Sequence, residues 1–168
     1  FGSSILVAPI LDDTGRRRVY LPAGAWVDYW SKAVISGAGW IEVEAPLDRI
    51  PLYVRAGSLL PYGPLVQYVG EKPCDPLTLE LYHPTGNSSH HFELGGGLSL
   101  EAQVRVTPES LEVSLGAAPG VVELICFGVG VQQAVWEGKP VPVTRREDSG
   151  TVIHFDGKLG GSLVIKIG

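Results

Sequence analysis

Methionine is absent from the 168 residues, position 1 included, and cysteine occurs only twice, as Cys74 and Cys126. Neither cysteine has CxxC or metal-like spacing, so a redox motif and a zinc knuckle are excluded. Two buried thiols are expected in preference to a disulfide staple. No apolar run approaches the ~20 residues of a membrane-spanning helix, which excludes that kind of membrane attachment. No signal peptide is visible, which favours the cytoplasm. Basic charge is scarce as well, since 13 Lys and Arg stand against 18 Asp and Glu, a formal net charge of −5. The one Arg cluster, Arg16-Arg17-Arg18, is short and is expected to be solvated. Binding a phosphate backbone needs a field of Lys and Arg, so nucleic acid is excluded as a partner, whereas neutral polyhydroxylated ligands remain compatible. Long uninterrupted segments are lacking too. With 22 Gly and 13 Pro, the longest stretch free of both is Ala25–Ser36, which leaves little room for long helices.

What is present is a strand vocabulary. Apolar residues make up 45% of the chain, enough for a core. Ile5–Ile10 is a continuous apolar run, expected as a strand buried on both faces. Arg18–Leu21 is a strand stopped by Pro22, and Trp26–Trp30 is rich in β-preferring residues. In Trp40–Ala45 the side chains of Ile41, Val43 and Ala45 oppose Glu42 and Glu44, the period of two of a half-buried strand. Composition shifts to Gly, Pro, Lys, Glu and Asp near 69–76, which places a domain boundary there. Beyond it Leu77, Leu79 and Leu81 alternate with polar neighbours, as do Leu98–Val106 and Leu111–Leu115, predicting a hairpin with one wet face. Val121–Phe127 is expected to be a central strand, Glu137-Gly138 a tight turn, and Thr151–Phe155 and Leu163–Ile167 the closing strands. Strands recurring with turns between them predict an all-β chain of antiparallel β-sandwich modules, residues 1–70 and 71–168. The opening, Phe1-Gly2-Ser3-Ser4 followed at once by apolar residues, reads as a piece cut from a longer protein, because termini are normally frayed and polar.

Several motifs then occur in a recognisable order. Residues 1–10 read FGSSILVAPI, residues 18–30 read RVYLPAGAWVDYW, and residues 46–61 read PLDRIPLYVRAGSLLP; residues 67–82 read QYVGEKPCDPLTLELY. Together they resemble the post-barrel region of glycoside hydrolase family 31, the α-glucosidases and α-xylosidases, over about half the chain. The resemblance implies that residues 1–70 are a proximal C-terminal domain, with residues 1–10 the strand leaving a (β/α)8 barrel. Residues 71–168 are then a divergent distal domain. It implies a parent enzyme whose barrel carries two catalytic aspartates for retaining hydrolysis, about 5–5.5 Å apart. Both would lie upstream of this sequence, so the catalytic barrel is absent and no residue here is assigned a catalytic role. Where the family has Tyr-Glu-Asp-Asp-Gly, this chain has Phe92-Glu93-Leu94-Gly95-Gly96-Gly97, without the aspartates.

Candidate sites are few. Trp26, Trp30 and Trp40, with Asp28 and Tyr29, form the dense aromatic group. Flat rings suit sugars, whose axial C–H bonds pack on the π-face while the hydroxyls find polar partners. Trp26 and Trp30 are expected on one strand face with Asp28 beside them. Core packing is the commoner fate of such rings. His90-His91 with Glu93, His83 and His154 could suggest a metal, but adjacent residues on a strand face opposite sides, so no metal site and no cofactor are assigned. Asn87-Ser88-Ser89 is a glycosylation sequon, which matters only in a eukaryotic secretory setting. The chain is therefore expected to be an inactive scaffold for a missing barrel, with self-association through the Ile5–Ile10 face as another way to cover it. Two other readings stand beside it: a freestanding carbohydrate-binding module, and an interaction domain docking on a separately encoded barrel.

Overall fold

The computed structural model describes residues 1–68, 70–148 and 150–168. Val69, at one end of the expected boundary, lies outside the described residues. Among these residues there is no helix, and strands form four sheets. The chain divides into two compact units, Phe1–Ser58 and Leu59–Gly168.

The first unit holds β1 (Ile5–Val7), β2 (Arg16–Leu21), β3 (Ala25–Asp28), β4 (Val34–Ser36), β5 (Gly39–Glu44) and β6 (Leu52–Arg55). One sheet has the order β1-β6-β3-β4, and β2 pairs with β5 as a separate ribbon. The period of two anticipated for Trp40–Ala45 is what joins the ribbon to the sheet. Ile41 and Val43 pack with Val19, Leu21, Trp26, Tyr53 and Ala8 in one core, while Glu42 and Glu44 stay exposed. The strand at Ile5–Ile10 differs from expectation. It is three residues long, lies at the sheet edge bonded only to β6, and leaves Val7 exposed. Pro9 has no N–H to continue a ladder, so the apolar run leaves the sheet after Ala8, whose N–H donates to the Pro51 carbonyl at 3.0 Å.

The second unit is a two-sheet sandwich. One sheet contains β7 (Leu59–Tyr62), β8 (Leu77–Tyr82), β12 (Val121–Phe127), β15 (Val143–Arg145) and β16 (Thr151–Asp156), in the order β15-β16-β12-β8-β7. The other contains β9 (Ser88–Gly95), β10 (Leu98–Val106), β11 (Ser110–Leu115), β13 (Val131–Trp136), β14 (Lys139–Val141) and β17 (Gly161–Ile167), in the order β14-β13-β17-β11-β10-β9. The inward residues foreseen from the alternation, Leu77, Leu79 and Leu81 against Leu100, Ala102, Val104, Leu111 and Val113, meet in one buried core with Leu124, Ile153 and Ile165. Pairing is antiparallel with one exception. β8 and β12 run parallel, Leu77 opposite Val122 through Tyr82 opposite Phe127.

Contacts divide the units before β7, at Ser58/Leu59, and not at the composition shift near 69–76. The reason is the β7–β8 ladder, Leu59 opposite Leu81 through Tyr62 opposite Thr78, which commits β7 to the second sandwich. The Gly- and Pro-rich stretch is thus the connection inside a strand pair. Its C-terminal end is held by Asp75, whose Oδ1 accepts the Val121 N–H at 3.1 Å.

Candidate functional site

The aromatic group separates into two exposed surfaces and one core residue. Trp26 is 5% exposed and its indole N–H donates to the Pro22 carbonyl at 2.9 Å, so it offers no ring face to a ligand. The expectation of Trp26 and Trp30 on one strand face is corrected here. β3 ends at Asp28, whose Oδ1 accepts the N–H of Trp30 at 3.0 Å, the N–H of Ser31 at 2.7 Å and the Ser31 hydroxyl at 2.9 Å. A short carboxylate that captures the following N–H groups makes an Asx turn, which ends the strand. Lys32 completes the reversal with φ of 59°.

Trp30 is consequently carried out of the strand plane and is 45% exposed. Its indole N–H donates to the Ile50 carbonyl at 2.8 Å, Tyr29 meets it edge-on with centroids 5.2 Å apart, and the Arg49 guanidinium lies 5.4 Å from its ring centre. The ring is thereby fixed in orientation, with a cation over one face. On the neighbouring strand, burial raises the Tyr53 phenol above its ordinary pKa, and the Asp28 charge opposite it adds to the shift.

Trp40 stands on the outer face of the β2–β5 ribbon and is 61% exposed. It sits directly opposite Tyr20 in register, with centroids 5.5 Å apart at 63°, and Arg18 lies 5.1 Å from its ring. The same face carries Arg16 paired to Glu44 at 3.2 Å. This is an aromatic and arginine surface with open solvent above it.

In the second unit the two adjacent histidines face opposite ways, as strand geometry requires. His90 stacks on Phe92 and lies 2.9 Å from the Ser88 hydroxyl, and burial lowers its pKa. His91 faces solvent between two carboxylates, with Nδ1 2.5 Å from Glu101 Oε1 and Nε2 2.9 Å from Glu93 Oε1, and these bonds raise its pKa. Both ring nitrogens are used by carboxylates, so the arrangement is an ion-pair bridge across the β9–β10 hairpin. The hairpin turns on Gly95, Gly96 and Gly97, all with positive φ (83°, 61° and 77°), a path that L side chains rarely follow. Trp136 lies outside the aromatic group weighed from sequence. It stacks on Phe155 with centroids 4.3 Å apart.

Residues 1–60 match the glycosyl hydrolase family 31 C-terminal domain. Over 172 aligned residues, 94% of this chain and 22% of its relative, the chain is 28% identical to the α-xylosidase of Saccharolobus solfataricus. The fold superposes on the family 31 dextranase of Flavobacterium johnsoniae with a TM-score of 0.84, over 98% of this chain and 26% of the other, at 21% identity. The chain resembles the C-terminal β region of glycoside hydrolase family 31, through the family model over residues 1–60 and the fold over nearly its whole length. α-Glucosidase 2 of Bacillus thermoamyloliquefaciens is 34% identical over 89 residues, 52% of this chain and 11% of that protein. The chain spans between about a tenth and a quarter of the length of these relatives. Trp26, Asp28, Trp30 and Trp40 all fall inside the segment matched by the family model.

Proposed function

We propose that this chain is the non-catalytic C-terminal β portion of a family 31 retaining α-glycosidase of α-glucosidase or α-xylosidase type, and that it supports a (β/α)8 barrel. In this reading the proximal domain, expected over 1–70, is the first unit, Phe1–Ser58, and the divergent distal one, expected over 71–168, is the second, Leu59–Gly168. The observation that carries the support role is the open edge of β1. Among the described residues Ile5–Val7 pair on one side only, with β6, and exposed Val7 and Ile50 lie at that end of the sheet. An unpaired edge with apolar neighbours is a surface that natural proteins cover. The acids favour a structural role too. Asp28, Asp75, Asp148 and Asp156 each accept backbone N–H groups in their own turns or across a strand start. Retaining hydrolysis needs instead two carboxyl groups facing one bond.

Two measurements test this. The purified chain, assayed with nitrophenyl α-glucoside and α-xyloside, is expected to release no nitrophenol above buffer; turnover that survives repurification would overturn the reading. A family 31 barrel expressed without its own C-terminal β domains is expected to co-elute with this chain in gel filtration, and not with a Val7→Asp variant. Self-association of the chain in place of that complex would favour the other cover for the Ile5–Ile10 face.

A second reading, a carbohydrate-binding surface, is favoured by the exposure of Trp30 and Trp40 beside Arg49 and Arg18. Quenching of tryptophan emission by millimolar xylose, glucose or their oligomers, lost in Trp30→Ala or Trp40→Ala, would support it. Unchanged emission would remove it.

A further inference from the structure

The second unit contains a hollow of about 500 Å³ at one end of its sandwich, between the β13–β14 turn and the β16–β17 turn. Its floor is apolar and aromatic, with Trp136, Phe155, Pro140 and Val141 lining it. Trp136 belongs to one sheet and Phe155 to the other, and their stack at 4.3 Å and 29° fixes the indole plane. Both turns are tightly defined. Glu137 and Gly138 have φ of 47° and 77°, the positive pair of a two-residue hairpin, which sets Lys139 directly opposite Trp136. On the other side the Gly160 N–H donates to the Gly157 carbonyl at 2.9 Å, closing a loop that leaves Leu159 97% exposed at the rim.

The polar groups around this floor are arranged for hydrogen bonding to something neutral. Lys139 and Lys158 are balanced by Glu137 and Asp156, so the rim has no net charge. Asp156 Oδ1 accepts the Lys158 N–H at 3.0 Å and Glu137 Oε1 accepts the Ser162 N–H at 2.6 Å, which holds both carboxylates in place with a second oxygen to spare. The indole N–H groups of Trp26 and Trp30 are spent on backbone carbonyls, whereas that of Trp136 has no acceptor among the described residues. A concave site with an aromatic floor and a few convergent polar groups is the usual form of a small-molecule site, and the volume falls in the usual range for one.

We propose that this hollow binds one or two pyranose units of a neutral oligosaccharide, with a sugar ring packed against Trp136 and its hydroxyls reaching the indole N–H, Lys139, Lys158 and Asp156. An apolar floor with a charge-neutral rim suits a neutral polyol better than a phosphate or a sulfate, which would need excess positive charge. The choice of an α-linked glucose oligomer as the sugar rests on the α-glycosidase reading; the site itself does not.

The test is a titration of the full chain with isomaltotriose and maltotriose. It is followed through the indole N–H signals of the four tryptophans in a 15N-labelled sample, assigned by substitution. The expected result is a saturable shift of the Trp136 signal at millimolar sugar, with the signals of Trp26, Trp30 and Trp40 unmoved. Trp136→Ala is expected to weaken binding about tenfold or more. Because that variant removes a packed ring, Lys158→Ala and Leu159→Ser at the exposed rim provide the same test with the fold intact, each weakening binding by roughly threefold. A shift confined to Trp30 or Trp40 would place sugar on the first unit and overturn the proposal, as would no shift at saturating sugar. The outcome is separable from turnover, since an active chain could lack this site and an inactive one could have it.

Discussion

Asp28 and Trp30 are joined by a 3.0 Å hydrogen bond from the Trp30 backbone N–H to the Asp28 carboxylate, and that bond ends β3. It decides which tryptophan of the pair is core and which is surface. Asp28→Ala removes the acceptor of three bonds and is expected to destabilise the first unit by about 1–2 kcal/mol, while Ser31→Ala loses the hydroxyl's bond to Asp28 and its long 3.3 Å bond from the Ala33 N–H, and costs roughly 0.5–1 kcal/mol. Urea melts followed by circular dichroism measure both. Equal midpoints for Asp28→Ala and the parent chain would show that the turn forms without its carboxylate.

Trp26 and Trp40 differ sharply in what they support. Trp26→Phe leaves the Pro22 carbonyl without its donor and a void in the core, and is expected to cost about 2–3 kcal/mol. Trp40→Phe, on the exposed ribbon face, is expected to stay within about 0.5 kcal/mol of the parent chain. The same melts compare the two.

The two neighbouring histidines are expected to titrate in opposite directions. Bonds to Glu93 and Glu101 raise the His91 pKa in the fold above its unfolded value. Its stabilisation is therefore fully present below the unfolded pKa, about 6.5, and is lost as pH rises through the higher folded value. Burial lowers the His90 pKa, so the fold favours its neutral form and loses stability as pH falls below the unfolded pKa. Ring-proton NMR titration should give an apparent pKa above 6.5 for His91 and below 6.5 for His90. In His91→Gln the first of these two stability slopes is expected to vanish.

Thiol chemistry should separate the two cysteines. Cys126 is fully buried in β12, which pushes its thiol up to about 12, while Cys74 is only half-buried; both are free. The native chain is expected to react with Ellman's reagent at Cys74 alone, and at both cysteines in guanidinium chloride. Rapid modification of Cys126 in the native state would mean that the second sandwich opens readily.

The central strand β12 should be the least forgiving part of that sandwich. Leu124 is completely buried between the sheets, and Leu124→Ala is expected to cost about 2–5 kcal/mol. Val164, on the outer face of β17, is expected to tolerate alanine at about 0.5 kcal/mol or less. Thermal melts of the two variants check the contrast.

Sequence pattern and structure agree best where side-chain period and burial coincide. Leu100–Val106 and Leu111–Leu115 alternate in sequence and in the structure, because one face meets the core and the other meets water, whereas Leu98, expected on the core face, is exposed beside a register shift at Leu98/Ser99. The Glu137-Gly138 turn is legible too, because Gly adopts at no steric cost the positive φ that such a turn needs. Sequence pattern and structure part where a single polar side chain redirects the backbone. Trp26–Trp30 has strand composition throughout, yet Asp28 captures the N–H groups after it and breaks the alternation. The apolar run Ile5–Ile10 gave no sign that its partner lies on one side only, since edge and centre differ in pairing and not in composition. Nothing in the residues around Trp136 sets it apart from any other strand residue. What makes it part of a hollow is Phe155 and the turn at 157–160, about twenty residues away in the chain.

The parallel pairing of β8 with β12 makes the second sandwich intolerant of shortening. Leu77–Tyr82 emerges early but finds one of its two flanking partners only at Val121–Phe127, after the chain has built three strands of the opposite sheet. A product stopped before residue 121 would hold β8 against β7 alone, with a leucine-rich ladder bare along its other side. Such a product should aggregate in preference to folding as a smaller domain. Deletions from the C-terminal end are thus expected to fail abruptly, not by degrees.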